Sequence, residues 1–156
     1  MKASKKTLAL GLALVIGSGA AMAQVIGKAE DQIRWRQSAY HTMAWSMGRI
    51  KANVDGTYNK DQVIEAANVI QAIANSKMGA LFQPGTDSGK GWKNTRVKKE
   101  FFSDRETLGK VAGTYVKEAN EMAKVAATGD AAAVKAQFGK LGDACGACHD
   151  KFRQED

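Results

Sequence analysis

The stretch VKAQFGKLGDACGACHDKF, residues 134–152, decides the fold. Its apolar residues and both of its cysteines recur at intervals of 4, 3, 4, 3 and 4, at Val134, Phe138, Leu141, Cys145, Cys148 and Phe152. This is the period of an amphipathic α-helix, whose apolar stripe faces a core. The two thiols therefore lie on the buried side of a helix.

The same stretch ends in Cys145-Gly146-Ala147-Cys148-His149, the C-x-x-C-H pattern of covalent c-type haem attachment. Two thiols add to the two vinyl groups of one porphyrin, and the adjacent imidazole can reach the iron. Residues three and four apart share a helix face, so all three side chains can address one planar ligand. The sequence predicts one haem c, bound through two thioethers, with His149 as the iron ligand.

Other uses of two cysteines are less well supported. In an oxidising compartment an isolated pair forms a disulfide. A C-x-x-C redox site is expected beside a βαβ pattern, which this chain lacks. A zinc site needs a second ligand pair, but the only other histidine is His41. The histidine directly after Cys148 favours haem attachment over all three.

Residues 1–23 are predicted to be a cleaved secretory signal peptide. A lysine-rich start precedes an apolar run from Leu8 to Gly17, and Ala21-Met22-Ala23 is an A-x-A cleavage site. The alternative, a membrane anchor, needs roughly 20 apolar residues, and this run is too short. We therefore expect an exported domain of residues 24–156, with no membrane insertion after cleavage.

Charge excludes few functions. The chain has 23 basic and 16 acidic residues, and removal of the three leader lysines leaves a net charge of +4. Aromatic residues do not alternate with the basic ones, so nucleic-acid binding is not expected. We read the charges as solvated helix faces.

Three further helices are predicted. The first spans about residues 29–53, with apolar residues at helical spacing, and Gly56 follows it. The second starts near Asn59 or Asp61 and ends near Met78-Gly79. After a turn-rich loop at residues 83–91, the third opens at Ser103 with a capping box and ends at Gly129-Asp130, which caps the next helix.

These elements predict an all-α protein: an up-and-down antiparallel four-helix bundle, with a covalent haem near the C-terminal end of the fourth helix.

The chain resembles the cytochrome c′ family along residues 24–156. The matching segments are residues 36–40 (RQSAY), the turn at residues 82–86 (FQPGT) and the terminal residues 145–153 (CGACHDKFR). The resemblance implies a periplasmic, often dimeric protein with a high-spin iron. It also implies that His149 is the sole axial protein ligand, and that small gases such as nitric oxide and carbon monoxide bind on the other side.

The resemblance also assigns roles around the haem. Tyr40 matches the family's distal position, where many members have leucine; a phenol there is bulkier and can donate a hydrogen bond. Arg36 and Gln37 match haem-propionate contacts, and Thr95 is a further candidate. Arg153 matches an arginine beside the proximal imidazole.

Methionine ligation is the main alternative. Met43 or Met47 could bind the iron, giving a low-spin electron carrier like the related bundle cytochromes of the c-556 type. Both methionines also suit ordinary core filling.

The expected partners are diatomic gases, a redox protein and a second copy of the chain. No acid–base or nucleophile constellation supports an enzyme. His41 is expected on the surface, about 100° around the helix from Tyr40, and Trp45 lies off the apolar stripe.

Overall fold

The computed structural model describes residues 26–155, which form five α-helices. They are α1 (Ala29–Asp55), α2 (Lys60–Asn75), α3 (Glu100–Ser103), α4 (Arg105–Thr128) and α5 (Ala131–Phe152). A 3₁₀ turn spans Met78–Leu81. The predicted signal peptide lies outside the described residues.

The four long helices form the predicted bundle, and the predicted fourth helix is α5. The neighbouring pairs are α1–α2, α2–α4, α4–α5 and α5–α1, so α1 stands diagonally opposite α4. Fully buried residues from all four helices form the core: Ile50, Val63, Ala66, Ala67, Ile70, Ala119, Met122, Ala126, Val134 and Leu141.

Three of the predicted helix ends are confirmed by their capping residues. The Asn59 side chain accepts a hydrogen bond from the Gln62 backbone N–H at 3.0 Å. Gly129 ends α4 with φ 79°, a left-handed conformation that favours glycine. Asp130 then accepts from the backbone N–H groups of Ala132 and Ala133 at 2.9 and 3.0 Å. The sharp α4–α5 connection follows from these local contacts.

Two predicted boundaries are wrong. The third long helix is capped by Asp104, which accepts from the Thr107 N–H at 3.0 Å, and not by Ser103. Ser103 instead ends the one-turn helix α3. The second helix stops at Asn75, and Met78 and Gly79 belong to the 3₁₀ turn. In both places a short helical turn adjoins the long helix, and helical spacing does not separate the two.

Among residues 26–155, no helix has the length and apolar character needed to cross a membrane.

Candidate haem site

Both cysteines lie on the inward side of the last turns of α5. Cys145 and Cys148 are free thiols of intermediate burial, and Cys145 packs against the bundle core. Burial raises the pKa of each thiol, and Cys148 raises that of Cys145 further. A shared helix face directs the two sulfur atoms to the same side, as attachment to a single porphyrin requires.

His149 occupies the final turn of α5, next to Cys148. The pKa of its imidazole is lowered, first by partial burial and second by the positive charge of Arg153. A neutral imidazole keeps a nitrogen lone pair that can bind a metal. Beside it lies a cavity of about 110 Å³, lined in part by Lys98, Asp150 and Arg153.

The end of α5 is fastened by the segment that precedes α3. The Lys98 N–H donates to the Phe152 carbonyl at 2.9 Å, and the Gln154 N–H donates to the Arg96 carbonyl at 2.8 Å. Val97 and Arg153 form an antiparallel bridge between these bonds. The pairing fixes the chain immediately after His149, so the imidazole is supported by tertiary contacts as well as by its helix.

Tyr40 on α1 faces the thiols of α5. The exposed fraction of Tyr40 is 44%, yet burial among protein atoms raises the pKa of its hydroxyl, and Cys148 and Cys145 raise it further. The Tyr40 ring thus keeps accessible surface while its hydroxyl lies among protein atoms near the two thiols. We call the region between Tyr40 on α1 and Cys145 and Cys148 on α5 the recess.

Met43 on α1 and Tyr115 on α4 are in contact beside this recess. The Tyr115 hydroxyl lies 2.8 Å from the Met43 sulfur, and both side chains are half-buried. Burial raises the pKa of Tyr115, and Cys145 and Tyr40 lie near enough to raise it further.

Arg36, one turn before Tyr40, is 2% exposed and holds the loop after α2. Its guanidinium donates to the Leu81 carbonyl at 3.3 Å, to the Thr86 hydroxyl at 2.8 Å and to the Thr95 hydroxyl at 2.9 Å. It also donates to the Thr86 carbonyl. The same guanidinium lies 4.5 Å over the Phe82 ring. Four of its N–H donors thus fix residues 81–95 against α1.

Gln37 fixes the next part of the loop. Its amide oxygen accepts from the backbone N–H groups of Trp92 and Lys93 at 2.8 and 3.2 Å, and its amide nitrogen donates to the Lys93 carbonyl at 2.9 Å. Gly91 allows this close approach, because a Cβ there would lie 2.6 Å from the Arg34 backbone nitrogen.

The structure brings six of the eight predicted site residues into two adjoining groups. Tyr40 faces Cys145 and Cys148, while Arg36, Gln37 and Thr95 form the loop contacts. His149 and Arg153 stand together at the end of α5. His41 and Trp45 are exposed, as expected. Sequence reasoning did not assign site roles to Thr86 or Tyr115, although Thr86 belongs to the 82–86 turn and Tyr115 to the apolar seam of α4.

The residues present fit a covalent haem. Two half-buried thiols share one helix face, the imidazole of His149 follows them directly, and the Tyr40 ring lies near them. A four-helix bundle with this donor set defines a bundle-type c-type cytochrome, an architecture for which cytochrome c′ is itself a standard example.

Comparison with known proteins identifies the family. The sequence profile described as Cytochrome C′ matches residues 31–153. Cytochrome c′ of Rhodocyclus tenuis is 63% identical over 130 residues, which are 83% of this chain and 98% of the relative. The crystal structure of cytochrome c′ from Thermochromatium tepidum shares 53% identity and a TM-score of 0.79, covering 83% of this chain and 98% of that one. The chain belongs to the cytochrome c′ family, and its cofactor is haem c.

Another similar structure is a cytochrome c′ described as having an unusual ligand-controlled dimer dissociation; it shares 55% identity and a TM-score of 0.80, covering 83% of this chain and 98% of that one. Variants of cytochrome c′ from Alcaligenes xylosoxidans, 28% identical with a TM-score of 0.73 over 83% of this chain and 98% of theirs, have been solved as nitric oxide and carbon monoxide complexes.

Proposed function

We propose that this protein is a periplasmic cytochrome that binds diatomic gases, transfers electrons, or does both. Its iron is five-coordinate and high-spin, with His149 as the sole axial protein ligand. Residues 1–23 direct export and are removed, and residues 24–156 form the mature domain. Haem c supplies an iron that binds nitric oxide or carbon monoxide and changes oxidation state.

The observation that carries the proposal is the position of Tyr40. Its hydroxyl lies near both cysteines, among protein atoms that raise its pKa, and the phenol is protonated at neutral pH. A protonated phenol is a poor metal ligand but can donate a hydrogen bond to a small polar molecule. With haem bound, Tyr40 would screen the side of the iron opposite His149, and its ring would have to move aside for a gas molecule to bind.

The remaining residues support the cofactor. We assign Arg36, Gln37 and Thr95 to the carboxylate edge of the haem. Within the described chain four of the five Arg36 N–H donors serve the loop, which leaves one for a carboxylate. Partial burial and, second, the positive charge of Arg153 lower the pKa of the His149 imidazole, which favours the neutral form that can bind a metal.

A homodimer and a redox partner protein complete the proposal. Trp45 on α1 is 61% exposed, with the Arg49 guanidinium 5.0 Å over its ring. An exposed aromatic of this size is typical of a protein interface, and a relative with the same fold forms a dimer. We assign the protein to binding and electron transfer and not to enzymatic turnover.

Two measurements on the purified holoprotein test the proposal. The visible and EPR spectra should show high-spin iron, and the ferrous form should bind carbon monoxide. A low-spin spectrum with a methionine–iron charge-transfer band would refute the five-coordinate state.

The role of Tyr40 is tested by comparing Tyr40→Ala with Tyr40→Phe. The alanine variant should bind carbon monoxide roughly tenfold more tightly or better, because the ring no longer closes the recess. The phenylalanine variant keeps the ring and should stay near wild type. Unchanged or weaker binding by the alanine variant would show that Tyr40 does not gate access.

A further inference from the structure

The contact between Tyr115 and Met43 is not used by the proposed function. The Tyr115 hydroxyl donates to the Met43 sulfur over 2.8 Å. A thioether is a weak acceptor, and a buried tyrosine hydroxyl ordinarily pairs with a carbonyl or carboxylate. The contact is therefore an unusual use of a tyrosine hydroxyl, and it joins side chains of two different helices.

This contact also crosses the bundle. Met43 lies on α1 and Tyr115 on α4, and these helices are diagonal to each other and not neighbours. The hydroxyl therefore reaches through the interior, beside Cys145 on α5. Met43 lies three residues after Tyr40, so both occupy the same face of α1.

Met43 is therefore the methionine whose sulfur could bind the haem iron if its contact with Tyr115 were lost. A methionine sulfur is an effective sixth ligand for haem iron and gives a low-spin centre that excludes weaker ligands. Its unbranched side chain has three rotatable bonds and adapts readily to new contacts. Met47, one turn further along, packs against the hydrophobic core.

We propose that the Tyr115 hydroxyl holds the Met43 thioether and so keeps that sulfur from becoming the sixth ligand of the iron. Tyr115 is a positioning residue, and it selects the open form of the site over the methionine-ligated form. This inference rests on the proposed function, in which one side of the iron stays open. The role of Tyr115 explains why the nearby Met43 does not occupy that side.

The test is Tyr115→Phe, which removes one hydroxyl and keeps the ring. In the ferric holoprotein, EPR and visible spectra should show a low-spin species with a methionine–iron charge-transfer band. The ratio of low-spin to high-spin iron should rise about fivefold, the factor associated with one net hydrogen bond. With [¹³C-methyl]methionine labelling, the Met43 methyl resonance should shift at the same time.

Tyr58→Phe is the matched control. Tyr58 is also half-buried against the core, but its buried hydroxyl has no hydrogen-bond partner among residues 26–155. That variant should leave both the spin state and the Met43 resonance unchanged. Adding Met43→Leu to Tyr115→Phe should restore the high-spin spectrum, whereas adding Met47→Leu should leave the low-spin species in place.

The outcomes separate the two proposals. A wild-type protein that is already methionine-ligated overturns the proposed function. A high-spin wild type with an equally high-spin Tyr115→Phe variant leaves the proposed function standing and overturns only the role of Tyr115. A low-spin species that persists after Met43→Leu overturns that role as well.

Discussion

Replacement of Arg36 by methionine should destabilise the protein by about 3 kcal/mol. Methionine keeps most of the side-chain volume, so the change removes hydrogen bonds and creates little cavity. The guanidinium is 2% exposed and donates four bonds to two carbonyls and two hydroxyls between Leu81 and Thr95. It also lies 4.5 Å over the Phe82 ring.

The magnitude follows from two opposing effects. A hydrogen bond to a charged group contributes about 1.5–3 kcal/mol, and removal of the donor leaves buried acceptors unpaired. Burial of the charged guanidinium carries a desolvation cost, which is also the main cause of the lowered pKa of Arg36. Methionine does not carry this cost, and its removal offsets several kcal/mol of the lost hydrogen bonding. The remainder corresponds to a fall in melting temperature of about 10 °C for a domain of this size.

Urea unfolding of the holoprotein, followed by circular dichroism, measures this loss. Arg34→Met is the matched control, because Arg34 is only partly buried and its ion pair with Asp31 is long, at 3.5 Å. The control should change the free energy of unfolding by less than about 1 kcal/mol. Equal losses in the two variants, or a loss below about 1 kcal/mol for Arg36→Met, would refute the argument that Arg36 anchors the loop.

Three further substitutions test contacts elsewhere in the fold. Gly91→Ala should destabilise the protein by about 1–3 kcal/mol, because the new Cβ would lie 2.6 Å from the Arg34 backbone nitrogen. Gly109→Ala, where the new Cβ would meet no described atom within 4 Å beyond its chain neighbours and the adjoining helix backbone, should instead stabilise it by about 0.5–1 kcal/mol, and equal effects in urea unfolding would contradict the close packing of the loop. Glu118 accepts a 2.7 Å hydrogen bond from Gln137, which is the main cause of its lowered pKa. That stabilisation is complete above the unfolded pKa of 4.5 and is lost as the pH falls through the lower folded value. Wild-type stability should therefore drop more steeply than that of Glu118→Gln between about pH 5 and pH 3, and parallel curves would refute the assignment.

Local sequence signals were sufficient where the controlling contacts are local. Asn59 and Asp130 cap helices through backbone groups two or three residues away, and Gly129 ends α4 through its own backbone conformation. The start of α4 was misplaced by one residue because Ser103 and Asp104 are both good capping residues. Only the tertiary contacts of α3 decide between them.

Contacts distant in sequence were not predictable in the same way. Arg36 was expected at a haem carboxylate from the family resemblance, and its four bonds to residues 45 to 59 positions away appear only in the folded chain. Tyr115 lies on α4, and its reach across the bundle to Met43 depends on how diagonal helices are spaced.

The sequence alone determined the helical bundle and the chemistry of its attachment motif, because helical periodicity and the C-x-x-C-H spacing act over a few residues. The tertiary structure decided which side chains surround that motif. It set Tyr40 opposite the cysteines, used Arg36 and Gln37 to hold the loop, and paired Met43 with Tyr115. These contacts join residues that only helix packing brings within reach, so no local pattern encodes them.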